Sequence, residues 1–334
     1  MPSTPTAPST TASVKRVAVI ALLALVITAG VGHTLGDLLT DGEASVNPGL
    51  LLLSGVLWSL GIAAQGPRWA LLLPSARIGG PPPSASRAAL AVLGTNALTV
   101  TLPGPAGEAL LAAFCERDLG IPWATGAAAK LLSRVLGLLI LGVLLLLGVG
   151  FLPGLLRWAP AGIIAAVAGG VALVIYLGAV GRIRWVVDAM LSLLPAGIQA
   201  KAQGPVREIL EHALAPRAQP VSMWLKAAAW SLVSTGLMGA GGYVSALAVG
   251  VAPDFTTYLW MHVVSSVAGL VGMVVPAGLG PLDALWVLLF VGIDRPVEDG
   301  LLAAIAWRQM QAVSLLVSLG PLVWVGRRTA TPVS

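Results

Sequence analysis

The sequence has few charged residues and only one cysteine. Charged side chains make up 10% of its 334 residues, against about 25% in soluble domains. The single cysteine, Cys115, excludes an intrachain disulfide. The three histidines lie far apart, and with one cysteine they make no recognisable metal-ligand spacing. We therefore predict no metal and no cofactor.

Known catalytic and phosphate-binding motifs are also poorly matched. The sequence contains no Walker-type Gly-Lys-Ser/Thr, no His-Glu-x-x-His and no Gly-x-Ser-x-Gly. No soluble region is large enough for a nucleotide-sugar or aminoacyl-transferring domain. We expect that the chain is not an enzyme by itself. The net charge of +5 need not indicate nucleic acid, because cytoplasmic loops of membrane proteins are usually basic.

Long apolar segments dominate the chain. Hydrophobic residues make up 57%, the mean hydropathy is +0.91, and a membrane-spanning helix takes about 20 mostly apolar residues. After a disordered cytoplasmic tail over 1–14, a single membrane domain is predicted over 15–328. The predicted spans are 16–39, 49–73, 123–152, 158–180, 221–249 and 298–325. A cytoplasmic amphipathic segment, or a plain loop with a short helix, is predicted over 182–216.

Two further apolar stretches, 87–118 and 255–292, are each interrupted by proline and glycine. The first break contains Pro103 and Gly104, and the second contains Pro276 and Gly278. Since such residues end helices, each stretch is predicted to be a re-entrant hairpin that enters and leaves on one side. Irregular backbone at membrane depth survives only where protein or a watery cavity covers it.

The positions of the charges agree with this topology. With both hairpins re-entrant and the N-terminus inside, one side receives twelve of the basic residues and the other only Arg157 and Arg295. Such a bias marks the basic side as cytoplasmic. We therefore predict an all-α polytopic protein of the cytoplasmic membrane, with about six spans, two re-entrant hairpins and both termini cytoplasmic.

The two breaks have similar surroundings, which indicates an inverted repeat over about 87–152 and 255–325. Glu108 and Asp283 each follow a break and precede Ala-Leu, and Arg134 and Arg308 follow them by 26 and 25 residues (134 − 108 and 308 − 283). With two spans between the units, the helices bearing the arginines should run in opposite directions. Interrupted helices in matching halves are typical of the substrate sites of secondary transporters.

Ionisable residues inside a bilayer are candidates for function. Arg134 and Arg308 would bind an anionic head group, assisted by the helix N-termini after each break. Alternatively, both arginines are structural and pair with Glu108 and Asp283. Glu108 could instead cap its helix, orient Arg134 or carry a proton. The predicted substrate-binding residues are Arg134, Arg308, Glu108, Asp283, Asn96, Gly107 and Gly280.

Three other polar or aromatic residues receive structural interpretations. His262 is predicted to be a buried histidine with its hydrogen bonds satisfied. Arg68 and Trp69 are predicted to lie at a membrane boundary, with the arginine reaching towards the head groups.

The motifs resemble those of the lysylphosphatidylglycerol synthase transmembrane family. They are Asn96 with the run from Leu102 to Ala109, the Leu-Leu-Ser-Arg that ends at Arg134, and the run from Val275 to Ala284 followed by Arg308. The resemblance covers roughly residues 50–325 and implies a flippase-like fold with re-entrant helices. Pro105-Ala106, Ala277 and Asp283 depart from the usual family pattern. The aminoacyl-transferase domain of the fused members is absent.

The resemblance and the breaks lead to one functional expectation and one alternative. The expectation is a lipid flippase or transporter, without an ATP site, for an anionic phospholipid or a polyprenyl-phosphate-linked glycan. The alternative is a membrane subunit or scaffold of a glycosyltransferase or another complex that makes envelope lipids. The expected partners are therefore a membrane lipid and a transferase.

Overall fold

The structure is a computed structural model. It describes residues 46–73, 83–101, 106–148, 220–271 and 281–330, together with 188, 192, 203, 204 and 206–208. The predicted spans 16–39 and 158–180, most of segment 182–216, the four break residues Pro103, Gly104, Pro276 and Gly278, and the candidate Gly280 lie outside these ranges.

The described part of the chain folds as α-helices, numbered here in chain order. They are α1 (Pro48–Ala63), α2 (Gln65–Leu72), α3 (Ala85–Thr101), α4 (Ala106–Leu119), α5 (Trp123–Gly148), α6 (Val221–Ala248), α7 (Phe255–Val271), α8 (Pro281–Val291) and α9 (Val297–Ala330). The all-α fold is thereby confirmed. Predicted boundaries differ from these by a few residues, chiefly at the C-terminal end of α9, which reaches five residues beyond the predicted 325.

Within the described ranges, three helical stretches are long and apolar enough to cross a membrane: Pro48–Leu72, Trp123–Leu144 and Val297–Thr329. The first joins α1 and α2. Asn47 caps it, because its side-chain oxygen accepts from the amide of Leu50 at 3.2 Å, and Pro48 stands in the first turn, where its missing N–H costs nothing. The protein is therefore a multi-pass helical membrane protein.

The first hairpin opens at one end of the molecule. Arg87, near the start of α3, forms an ion pair with Asp118, near the end of α4. The end of α9 joins them, since Arg117 donates to the backbone oxygen of Thr329 at 2.5 Å and Arg328 lies 3.6 Å from Asp118. We call this the Asp118 end. Its contacts place the two outer ends of the hairpin side by side.

The start of α6 lies at the same end. A cavity of about 460 Å³ is lined by Leu73 just after α2, Ala85 at the start of α3, and Met223 near the start of α6. The far end of α6 meets the start of α1, where the amide of Asn47 donates to the carbonyl of Ala248 at 2.8 Å. We call this second region the Asn47 end. Helices α1 and α6 therefore run in opposite directions.

The second hairpin opens at the Asn47 end. Phe255, the first residue of α7, packs edge-on against Tyr243 of α6, with ring centroids 5.2 Å apart. Helix α9 ends at the Asp118 end and is 34 residues long, so its start, a few residues after α8, lies at the opposite end. Because α5 begins next to the end of α4, α5 and α9 run in opposite directions, as the inverted repeat predicts.

Close approaches of small residues hold the long helices together. Ser234 of α6 donates to the carbonyl of Gly61 at 2.8 Å, and a methyl group at Gly241 would lie 2.9 Å from the carbonyl oxygen of Ser54. The hydroxyls of Ser59 on α1 and Ser314 on α9 form a hydrogen bond of 2.9 Å. Such contacts are typical of helix pairs in membranes, where small residues let backbones approach.

Candidate functional site

A polar cavity lies among four helices: α3 and α4, which are the two arms of the first hairpin, and the neighbouring helices α2 and α5. Its volume is about 90 Å³, which holds several waters or a small anionic group. The described lining residues are Gln65, Val92, Thr95, Asn96, Thr99, Gly107, Leu111, Lys130 and Arg134. Two of them are cations and, among the lining residues that the structure describes, none is a carboxylate.

The hairpin forms this cavity through a close packing of its arms at Gly107. A methyl group at this position would overlap the hydroxyl of Thr99 and the backbone oxygen of Thr95, both on α3. Thr99 and Thr95 in turn hydrogen-bond within α3, at 3.3 Å to the carbonyl of Thr95 and 2.9 Å to that of Ala91. The glycine lets the first turn of α4 come close to the polar face of α3.

Three residues of the predicted site, Asn96, Gly107 and Arg134, thus line one cavity. Lys130, which was not in the predicted set, lines it too. It precedes Arg134 by one helical turn, so both reach the same face of α5. Glu108 lies in the first turn of α4, and its side chain lies outside the described part. That these residues bind substrate stays a prediction.

Arg308 and Asp283 form a second polar group, which is not part of the described lining of this cavity. Arg308 Nε donates to Asp283 Oδ1 at 2.8 Å, and its second terminal nitrogen donates to Oδ2 at 2.9 Å. Gln311 accepts from the remaining nitrogen at 3.1 Å. The pairing considered in the sequence analysis is therefore present, and it ties α9 to the first turn of α8. Whether both arginines serve one head group stays a prediction.

The interpretation of Arg68 and Trp69 as boundary residues is wrong. Arg68 is only 7% exposed and Trp69 is fully buried. Arg68 donates to the hydroxyls of Ser133 on α5, at 2.7 Å, and Ser231 on α6, at 3.1 Å. The indole of Trp69 donates to the carbonyl of Gly126 at 3.3 Å. Their polar groups are satisfied by neighbouring helices instead of by head groups.

His262 is buried as predicted, but the predicted satisfaction of its hydrogen bonds is wrong for one ring nitrogen. Among the residues that the structure describes, its Nδ1 has no hydrogen-bond partner, and the same holds for the indole nitrogens of Trp286 and Trp307. These rings pack on one another, with centroids 5.1 Å apart for the two tryptophans and 5.9 Å apart for His262 and Trp307. The sequence carried no local signal for this aromatic cluster, because its members come from separate helices.

These features define a class: a multi-pass helical membrane protein with a cationic cavity built on an interrupted hairpin. The chain belongs to the family described as lysylphosphatidylglycerol synthase TM region, whose model matches residues 14–318. That membership confirms the resemblance and fits a membrane protein of the lipid-synthase or flippase type. No curated protein and no solved structure matches the chain.

Proposed function

We propose that the protein moves an anionic lipid, either a phospholipid or a polyprenyl-phosphate-linked glycan, across the cytoplasmic membrane. The observation that carries the proposal is the cavity that Lys130 and Arg134 share with Asn96 and Gly107 at the break of a membrane hairpin. Both side chains are cationic, and guanidinium and ammonium groups are the side chains that bind phosphate in proteins. An anionic head group is therefore the ligand that this lining favours.

The phosphate of the head group would contact Arg134, whose planar guanidinium can present two N–H groups to two phosphate oxygens. Lys130 would add a compact charge, and Asn96 would add an amide group. Helix α4 begins at Ala106, beside the cavity, and the free amides of its first turn favour an anion there. The acyl or prenyl chains would stay in the bilayer.

The ion pair of the second hairpin has a related role in this proposal. Asp283 would hold Arg308 in place until a phosphate competes for its guanidinium. Because α5 and α9 run in opposite directions, Arg134 would lie towards one side of the membrane and Arg308 towards the other. We found no ATP motif, so transport would be facilitated or coupled to an ion, and no covalent bond of the lipid would be made or broken.

The test is translocation by the purified protein in liposomes. Fluorescent phosphatidylglycerol, phosphatidylcholine and a polyprenyl phosphate would each be followed by quenching from outside. We expect transport of an anionic lipid by the wild type and about a tenfold or greater loss for Arg134→Gln. The matched control is Arg295→Gln, which removes an exposed arginine at the Asn47 end that pairs with Asp299 at 3.5 Å.

Equal transport by the wild type and Arg134→Gln would contradict the assigned role. If the folded wild type moves none of the three lipids, the alternative gains support, in which the chain is a membrane subunit of a glycosyltransferase or related complex. Recovery of a transferase by co-purification from the native membrane would then be the decisive observation.

A further inference from the structure

Arg68 is a buried arginine that joins three helices. It lies in α2, in the first apolar span, and its guanidinium donates to one serine on α5 and one on α6. The hydroxyl of Ser231 in turn donates a hydrogen bond to the carbonyl of Ala227 at 3.0 Å. Both partners are neutral hydroxyls, and Arg68 has no ion pair with a carboxylate in the described ranges.

A buried guanidinium held only by neutral groups is expensive. Removing a charge from water is unfavourable even after the protein relaxes, and an opposite charge usually offsets this cost. The packing is nevertheless specific for this side chain. A methyl group at Gly137 of α5 would lie 3.1 Å from one of its terminal nitrogens, so the glycine leaves room for the guanidinium.

The guanidinium also lies against the helix face that borders the cavity. Lys130, Ser133, Arg134 and Gly137 recur at the three- and four-residue spacing that aligns side chains on one face of a helix. Arg134 and Lys130 line the cavity, whereas Ser133 and Gly137 contact Arg68. Gln65, one turn before Arg68 on α2, lines the cavity as well.

We infer that Arg68 is a positioning residue that selects anionic ligands for this cavity without touching them. This inference rests on the proposed function. Its buried charge makes the wall of the cavity more positive, and in the low dielectric of a protein interior a unit charge acts over longer distances than in water. Its hydrogen bond to Ser133 keeps α5 turned so that Arg134 faces the cavity. A bound anion would compensate a charge for which the described ranges supply no carboxylate.

The experiment measures binding of a short-chain phosphatidylglycerol and a short-chain phosphatidylcholine to the purified full-length protein by calorimetry. Arg68→Met removes the charge and keeps much of the side-chain volume. We expect phosphatidylglycerol to bind about tenfold more weakly, and phosphatidylcholine to bind as before. Arg68→Lys should stay within about twofold of the wild type.

A second variant separates charge from structure. Ser133→Ala removes one hydrogen-bond acceptor but keeps the charge, so it should lose less affinity for phosphatidylglycerol than Arg68→Met. Equal losses for both lipids in Arg68→Met, a loss in Arg68→Lys as large as in Arg68→Met, or an unchanged affinity for phosphatidylglycerol would each overturn the inference. If the wild type shows no preference for phosphatidylglycerol over phosphatidylcholine, the inference fails, whereas transport of polyprenyl phosphate in the liposome assay would still support the proposed function.

Discussion

Arg308 of α9 and Asp283 of α8 form a two-pronged ion pair, with nitrogen-to-oxygen distances of 2.8 and 2.9 Å. The arginine side chain is 13% exposed and the aspartate 32%. The two parallel hydrogen bonds fix the relative orientation of the guanidinium and the carboxylate. The pair therefore fastens the second hairpin to the longest helix of the described chain.

Breaking this pair from one side should destabilise the protein. Asp283→Asn leaves the guanidinium of Arg308 mostly buried without its charge partner. After allowance for partial exposure of Asp283, we expect a loss of about 2 kcal/mol, or a fall of roughly 3 °C in the melting temperature of a chain of this length. A thiol-reactive dye can follow unfolding, because Cys115 is the only cysteine and is fully buried.

Two further variants show whether the loss comes from the ion pair. The double variant Asp283→Asn with Arg308→Gln should recover part of the stability, because it removes the uncompensated charge as well. Asp299→Asn breaks the more exposed pair with Arg295 and should cost less than about 1 kcal/mol. A melting temperature for Asp283→Asn within one degree or so of the wild type would contradict the assigned contribution.

The close packing at Gly107 leads to a second prediction. Gly107→Ala introduces a methyl group that overlaps Thr99 and the backbone of Thr95, so the arms of the first hairpin must move apart. We expect a loss of about 1–3 kcal/mol, measured by the same dye, together with weaker binding of the anionic lipid. Gly142→Ala is the matched control, since a methyl group there meets no atom within 4 Å, and helix propensity favours alanine.

The sequence was sufficient to predict the helices of the fold, but not which side chains of different helices contact each other. Runs of apolar residues and breaks at proline and glycine are local features, so the outer bounds of the described spans and hairpins followed from them within a few residues. The division of the first described span into α1 and α2 was not predicted. The antiparallel relation of α5 and α9 followed from counting spans and charges. Both rest on the rule that a chain crossing a membrane must satisfy its backbone within each helix.

The partners of Arg68 could not be predicted, because Ser133 and Ser231 stand 65 and 163 residues away. An arginine near the end of an apolar run usually reaches for water, and nothing local distinguishes one that is buried. The same holds for Lys130, which lines the cavity only because α5 packs against the first hairpin. Motif spacing identified Asn96, Gly107 and Arg134, whereas packing decided which other residues join them.

A third prediction concerns the charge cluster at the Asp118 end. The side chain of Asp118 is 7% exposed and lies between Arg87, 35% exposed, and Arg328, 53% exposed. Asp118→Asn leaves these two arginines facing each other, and solvent limits the cost to about 1 kcal/mol. Amide hydrogen exchange should become faster at the start of α3 and the end of α9. The difference from the wild type should shrink in 1 M salt, where charges are screened within about 3 Å; a difference unaffected by salt would point to packing instead.

The last prediction concerns the sides of the membrane on which the two hairpins open. In a Cys115→Ala background, single cysteines would replace Ser84 and Glu116 at the outer ends of the first hairpin, or Thr256 and Glu298 near those of the second. All four positions are exposed.

Because the basic side is expected to be cytoplasmic, a membrane-impermeant maleimide should label Thr256→Cys and Glu298→Cys in intact cells. Ser84→Cys and Glu116→Cys should react only after the membrane is opened. Labelling of Ser84→Cys and Glu116→Cys from opposite sides would show that residues 87–118 cross the membrane, and the charge segregation that supports the inverted repeat would be lost with it.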